Sequence, residues 1–230
     1  MKFKEVHILF EQSGTFKKVF EKYGYKVIEY DIEKTENVDF NTNIFTEIDR
    51  AIIAKEKSLF DNIHNNDLVL AFFPCTYFSD QSQLLSRGDN FGQKTWNEKA
   101  KLKYSMQQMN KRNDFFNYLC KLCIIAIEKD FKLIIENPSG KVNFLKWFFP
   151  IKPSVIIQDR REYGDLFKKP TQFFFVNCKP EFKLFSEVDK TQFRANAIEN
   201  CGGFKRSKIS SNFAENFCNQ FVLEGGDCGY

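Results

Sequence analysis

At 230 residues, 43% hydrophobic and 28% charged, the chain has an ordinary globular composition and enough length for a substantial core. No run of about 18 apolar residues could span a bilayer, which excludes a membrane-spanning helix. The net charge of +4 is compatible with nucleic acid but decides nothing alone.

Met1-Lys2-Phe3-Lys4-Glu5 passes straight into Val6-His7-Ile8-Leu9-Phe10, strand-like and without a leader pattern, so a cytoplasmic chain is expected. A helix is expected near Thr15 to Lys22, then a strand over Lys26 to Asp31. A helical stretch around Glu47 to Ile63 precedes the apolar run Asp67 to Phe72. The segment from Asp80 to Asn97 is polar and holds Gly88 and Gly92, so it reads as a long loop, a candidate lid.

A long helix from about Glu98 to Lys129 leads into the strand Lys132 to Glu136. Its apolar residues Leu102, Met106, Met109, Phe116, Cys120, Cys123 and Ile127 recur mostly at steps of three and four, predicting one buried face. On that reading Cys120 and Cys123 are helical core rather than a zinc or redox pair. No second pair stands at zinc-finger spacing, so no metal is expected, and the odd total of seven cysteines points to free thiols. A Phe-rich strand over Gln172 to Val176 and a last helix near Asn212 to Val222 follow, and the tail from Glu224 to Tyr230 is expected to fray. Short apolar strands alternating with helices predict one α/β domain over 1–230, its mainly parallel sheet covered by helices on both faces. Ligands collect at the carboxyl ends of such strands.

Phe73-Pro74-Cys75-Thr76-Tyr77-Phe78-Ser79 opens at one such end, where a thiol is placed for nucleophilic attack; taken alone, Cys75 reads more readily as a small buried residue. Glu136-Asn137-Pro138 ends another strand, where a carboxylate is costly unless it has a role. Together these residues resemble the Pro-Cys-x-x-Phe-Ser and Glu-Asn motifs of DNA cytosine-C5 methyltransferases. Pro138 followed by Ser139-Gly140 looks like the small phage and prophage branch.

The resemblance implies a Rossmann-like fold that uses S-adenosylmethionine. It makes Cys75 the nucleophile at cytosine C6 and Glu136 the acid at N3. An acid that keeps its proton near neutral pH needs a desolvated site. Phe10-Glu11-Gln12-Ser13-Gly14-Thr15 resembles the family's Phe-x-Gly-x-Gly cofactor loop, with Gln12 where the first glycine is expected. Asp31, ending the second strand, is the candidate for the ribose hydroxyls, with Glu29 a competitor and plain turn chemistry an alternative. Asn43 stands where the family often contacts the adenine amino group, and Pro74 joins the cofactor set. Arg160 matches the first arginine of a Gln-x-Arg-x-Arg motif that holds the nucleotide, which makes it a catalytic candidate, with Glu162 in the second's place and a solvated basic turn the alternative. Ser79, Asn137, Lys169 and Thr171 are the implied substrate contacts, and Arg206-Ser207-Lys208-Ile209-Ser210 resembles the final motif.

Larger members insert a target-recognition domain between the arginine region and the last motif. Here about 35 residues separate Thr171 from Arg206, too few for an independent module. The implied partner is DNA, as a duplex with a flipped base or single-stranded, with a protein partner one route to target recognition. Lys101, Lys103, Arg160, Lys168, Lys169, Lys205 and Arg206 are candidate phosphate contacts. Two other readings stay open: C5 modification of a free pyrimidine nucleotide, and a decayed scaffold that binds nucleic acid or a protein. Amino-methyltransferases fit less well, because their loop needs Pro-Pro where this chain has Pro74-Cys75.

Overall fold

The computed structural model describes residues 1–88, 91–184 and 209–224. In chain order the strands are β1 (Glu5–Leu9), β2 (Lys26–Asp31), β3 (Phe40–Asn41), β4 (Leu68–Ala71), β5 (Lys132–Pro138), β6 (Val155–Ile157) and β7 (Thr171–Val176). The helices are α1 (Thr15–Lys22), α2 (Ile44–Asp49), α3 (Asp80–Arg87), α4 (Glu98–Lys129), α5 (Phe144–Phe148) and α6 (Ser211–Phe217). These strands make one sheet ordered β3-β2-β1-β4-β5-β7-β6. The five from β3 to β5 are parallel, while β7 runs against both β5 and β6. This is a doubly wound, Rossmann-like arrangement whose strand order reverses between β1 and β4, and a crevice opens at such a point.

Both faces of the sheet are covered, because its strands are buried at successive positions whose side chains point to opposite faces. Leu9, Val69, Ala71, Leu133, Ile135 and Phe174 face one core with Leu119 and Leu122 of α4. Val6, Ile8, Leu68, Leu70, Ile134 and Phe173 face another with Phe16 and Phe20 of α1 and Phe213 and Phe217 of α6. No described helix is long and apolar enough to cross a membrane.

Several expectations are corrected. Asp80 to Asn97 is not a continuous loop, because its first half is α3. Ser79 caps that helix by accepting from the Ser82 N–H at 3.4 Å, and Gly88 closes it in the left-handed region at φ 74°. The helix expected from Glu47 begins at Ile44, turns π-helical over Arg50–Ala54 and stops at Lys55, also left-handed. The stretch resumes only as a short 3-10 turn, Leu59–Asn62. Strands β3 and β6 and helix α5 were not foreseen; each is too short to show periodicity.

On α4, Cys123 is in the core and Cys120 packs against it. However, Leu102, Met106, Met109 and Ile127 are exposed, while Arg112, Leu119, Leu122, Ile125 and Ala126 are buried. The buried stripe occupies only the half of α4 that lies on the sheet. The Arg206 motif up to Lys208, and the tail after Glu224, fall outside the described residues.

Glu29 sits inside β2, fully buried, and neither carboxylate oxygen has a hydrogen-bond partner. Burial, then the nearby Glu11, pushes its carboxyl up to about 8 from an ordinary 4.5. The raised value means that its contribution to stability is full below pH 4.5. That contribution is lost as pH rises towards 8, at roughly 1.4 kcal/mol per pH unit. Glu29→Gln removes the titration, so the mutant's melting temperature should gain on wild type steadily from pH 5 to pH 8. Parallel melting curves across that range would show that Glu29 ionises normally.

Candidate active site

Cys75 lies four residues beyond Ala71, the last residue of β4, and its carbonyl accepts from the N–H groups of Phe78 at 3.0 Å and Ser79 at 3.2 Å. The chain therefore coils tightly after the strand and runs into α3. Glu136 and Asn137 lie near the end of β5, the neighbour of β4. The Asn137 side-chain amide donates to the Phe73 carbonyl at 3.0 Å, tying the two strand ends together. Its Oδ1 is buried without a hydrogen-bond partner, an acceptor that a bound donor could satisfy.

Because β7 is antiparallel to β5, its first residue arrives at the same end of the sheet. Thr171 pairs opposite Pro138, and its hydroxyl donates to Glu136 Oε1 at 2.5 Å. Pro170 accepts from the Ser139 N–H at 2.9 Å. Lys169, just before the strand, comes close enough for its charge to act on Cys75. The geometry thus gathers Cys75, Glu136, Asn137, Lys169 and Thr171.

Asp80, missed in the sequence, anchors this cluster. Its carboxylate accepts from the backbone N–H groups of Lys141 at 2.9 Å and Val142 at 3.3 Å. A Cβ on Gly140 would stand 2.0 Å from Asp80 Oδ1, so a larger residue there would displace the carboxylate from these bonds. Arg112 was missed too. Buried, it donates to the Tyr77 carbonyl and to the Ser86 hydroxyl, both at 3.0 Å, and lies over the Phe144 ring. A single cation inside a helical run gives no warning of such a role, whereas Asp80 after Ser79 does carry a helix-start signature.

At the β1 end expected to hold a cofactor, Phe10 leaves the strand in the left-handed region (φ 63°), and its ring leans on Phe45 and Phe73. Glu11 is buried and accepts from the Ser13 backbone and hydroxyl. Ser13 and Thr15 hydroxyls lie 2.6 Å apart. Gly14 (φ 64°) has no room for a side chain, since a Cβ would stand 2.6 Å from Asn37 Cγ. Gln12 keeps its side chain exposed, so its bulk does not enter the core.

Asp31 ends β2, nearly buried, with Oδ1 accepting from the Glu33 N–H at 2.8 Å; burial raises its carboxyl above the ordinary value. Of the two competing acids, Asp31 is the one at the strand end and Glu29 the one enclosed. Asn43 caps α2 through Phe45 N–H, so turn chemistry occupies its Oδ1. Pro74 is half-buried beside Cys75.

The contacts of Arg160 are with Asp165 and Phe213. It is buried, ion-paired with Asp165 and stacked on the Phe213 ring 4.7 Å away, where it braces α6. Lys169 is a cation whose charge acts on the thiol. No protein-family model and no curated protein matches the chain.

Burial first, then the Glu136 carboxylate, raises the Cys75 thiol above its ordinary value, and Lys169 opposes them. The two neighbours should therefore move thiol reactivity in opposite directions. Alkylation of Cys75 by iodoacetamide, followed on its own peptide by mass spectrometry at pH 8, should speed up in Glu136→Gln and slow in Lys169→Gln. Equal rates in all three proteins would break the electrostatic link among these residues.

Proposed function

We propose that the chain is an S-adenosylmethionine-dependent methyltransferase acting on C5 of cytosine in DNA. The observation that carries this reading is the meeting of Cys75 and Glu136 at adjacent strand ends, with Thr171 holding the carboxyl and the Lys169 charge acting on the thiol. Cytosine C5 is too weak a nucleophile to take a methyl group unaided. Addition of the Cys75 thiolate to C6 pushes an electron pair through the ring to N3, where Glu136 donates a proton. C5 then carries the electron density needed for methyl capture. Loss of the C5 proton to a base re-forms the ring double bond, expels the thiolate and returns the N3 proton to Glu136.

The electrostatics of Cys75 support this division of labour. Its thiolate is disfavoured by a charged Glu136, so the nucleophile forms most readily when Glu136 holds the proton it is to donate. Thr171 keeps that carboxyl in one orientation, and the Asn137 amide fixes the Cys75 strand end beside it.

S-adenosylmethionine would supply a sulfonium-bound methyl group. The residues at β1 and β2 fit it: Phe10 and Phe45 offer an aromatic wall, and Asp31 a carboxylate at the β2 end. The tight turn at Gly14 leaves the Gln12 side chain outside.

DNA carrying 5-fluorocytosine should trap the protein covalently when S-adenosylmethionine is present, because fluorine cannot leave as a proton does. Cys75→Ser should abolish the adduct, and Glu136→Gln should slow turnover on ordinary DNA about a hundredfold or more. Trapping that survives Cys75→Ser would remove this thiol from the chemistry. Methyl transfer to dCMP but to no DNA would move the substrate to a free nucleotide. S-adenosylmethionine should also raise the melting temperature, by mass action, and less so in Asp31→Ala. No shift at millimolar ligand would favour the decayed scaffold.

A further inference from the structure

Helix α4 runs back from the carboxyl side of the sheet to its amino side, where β5 begins. None of its residues before Arg112 is buried, so Glu98 to Arg112 extend beyond the core for about 22 Å at 1.5 Å per residue. This half stands on the Cys75 side, because Arg112 at its base bonds the carbonyl of Tyr77 in the nucleophile loop. Helix α3 lies along it: a Cβ on Gly88 would meet Lys101 Cδ at 3.1 Å.

This arm concentrates positive charge. Residues 87–112 hold seven basic and two acidic side chains, an excess of five against +4 for the whole chain, so the remainder is slightly negative. Lys99, Lys101, Lys103 and Lys111 form no ion pair among the described residues. The arm also carries an open cleft of about 490 Å³ lined by Trp96, Asn97, Ala100, Lys103, Tyr104 and Gln107. In it Trp96, 38% exposed, meets Tyr104 edge to face with ring centroids 5.3 Å apart. Helical spacing puts Lys111 on the Tyr104 side, two turns on.

We infer that this arm binds an unstacked nucleic-acid strand, with bases against Trp96 and Tyr104 and phosphates against Lys103 and Lys111. Aromatic faces beside unpaired cations suit a single strand, since every base has a face to stack and every linkage a charge to neutralise. A duplex hides those faces. A protein partner would use the opposite side of α4, where Leu102, Met106 and Met109 are exposed. The inference goes beyond methyl transfer, because it rests on the arm's own charge and rings.

The chain has two tryptophans, so Trp147→Phe, at an exposed site, leaves Trp96 as the single indole reporter. In that background a dT oligomer of about 12 nucleotides, within usual site sizes, should quench the emission. Tyr104→Ala should weaken binding by about fivefold or more. Lys103→Gln with Lys111→Gln should weaken it further and lower the slope of log affinity against log salt by about 1.4, at roughly 0.7 per phosphate. Lys146→Gln with Lys152→Gln should change neither. Absent quenching, an unchanged slope in the Lys103/Lys111 variant, or tighter binding of duplex than of dT would overturn the inference. So would self-association through Leu102 and Met106, seen by sedimentation, with no response to the oligomer. Strand binding without covalent trapping would count against the Cys75 chemistry and leave the arm standing, while trapping without strand binding would do the reverse.

Discussion

Thr171 can hold Glu136 because β7 runs against β5. In a wholly parallel sheet the start of that strand would lie at the amino edge, far from the thiol loop. Reversal brings the Lys169-Pro170-Thr171 turn to the carboxyl edge, where the Pro170 carbonyl takes the Ser139 N–H and the Thr171 hydroxyl takes Glu136. Phe173 and Phe174 then continue into the two cores on opposite faces, so the register that places Thr171 is set by apolar burial along the whole strand. A slip of one residue would exchange those faces as well as withdraw the hydroxyl.

The same edge shows why one cation matters there more than several elsewhere. Exposed lysine pairs contribute little, since water screens them. Cys75 is desolvated and faces a carboxylate, so the nearby Lys169 opposes both effects on the thiol. Arg160 has a different task. Enclosed with Asp165 beneath Phe213, its charge serves packing between the turn Arg160–Tyr163 and α6, and removing either partner would leave the other buried and unpaired.

What was legible in the sequence follows the strength of its local signals. Strand β2 and helices α1 and α4 agree with their expected bounds, because apolar periodicity and end signals coincide there. Cys75 and Glu136 were legible as motifs at strand ends. Helix α3 was hidden because its residues are mostly polar, and its caps, Ser79 and Gly88, read as loop residues. Thr171 and Lys169 were named by resemblance, but their proximity to Glu136 and Cys75 depends on strand direction, which periodicity does not encode. Asp80 and Arg112 act through contacts with residues 61 and 35 positions away, beyond the reach of any local pattern.

Part of the apolar exposure on α4 follows from one constraint, whereas Ile124 and Ile127 are exposed on the half that covers the sheet. A 32-residue helix is about 48 Å long, whereas the strand it covers has seven residues and reaches only about 23 Å. Roughly half of α4 therefore has no sheet beneath it, and periodic Leu102, Met106 and Met109 stay in solvent although their spacing suits a core. Such a length is needless for covering the sheet. It becomes useful if the active-site edge must hold a long charged substrate, and in this chain only a short stretch separates β7 from the last helix. An arm built from α3 and α4, fixed at its base by Arg112 and Asp80, supplies reach from the opposite side of the Cys75 loop. Grip of that kind follows phosphate charge and base faces rather than base edges, so it favours a strand over a sequence.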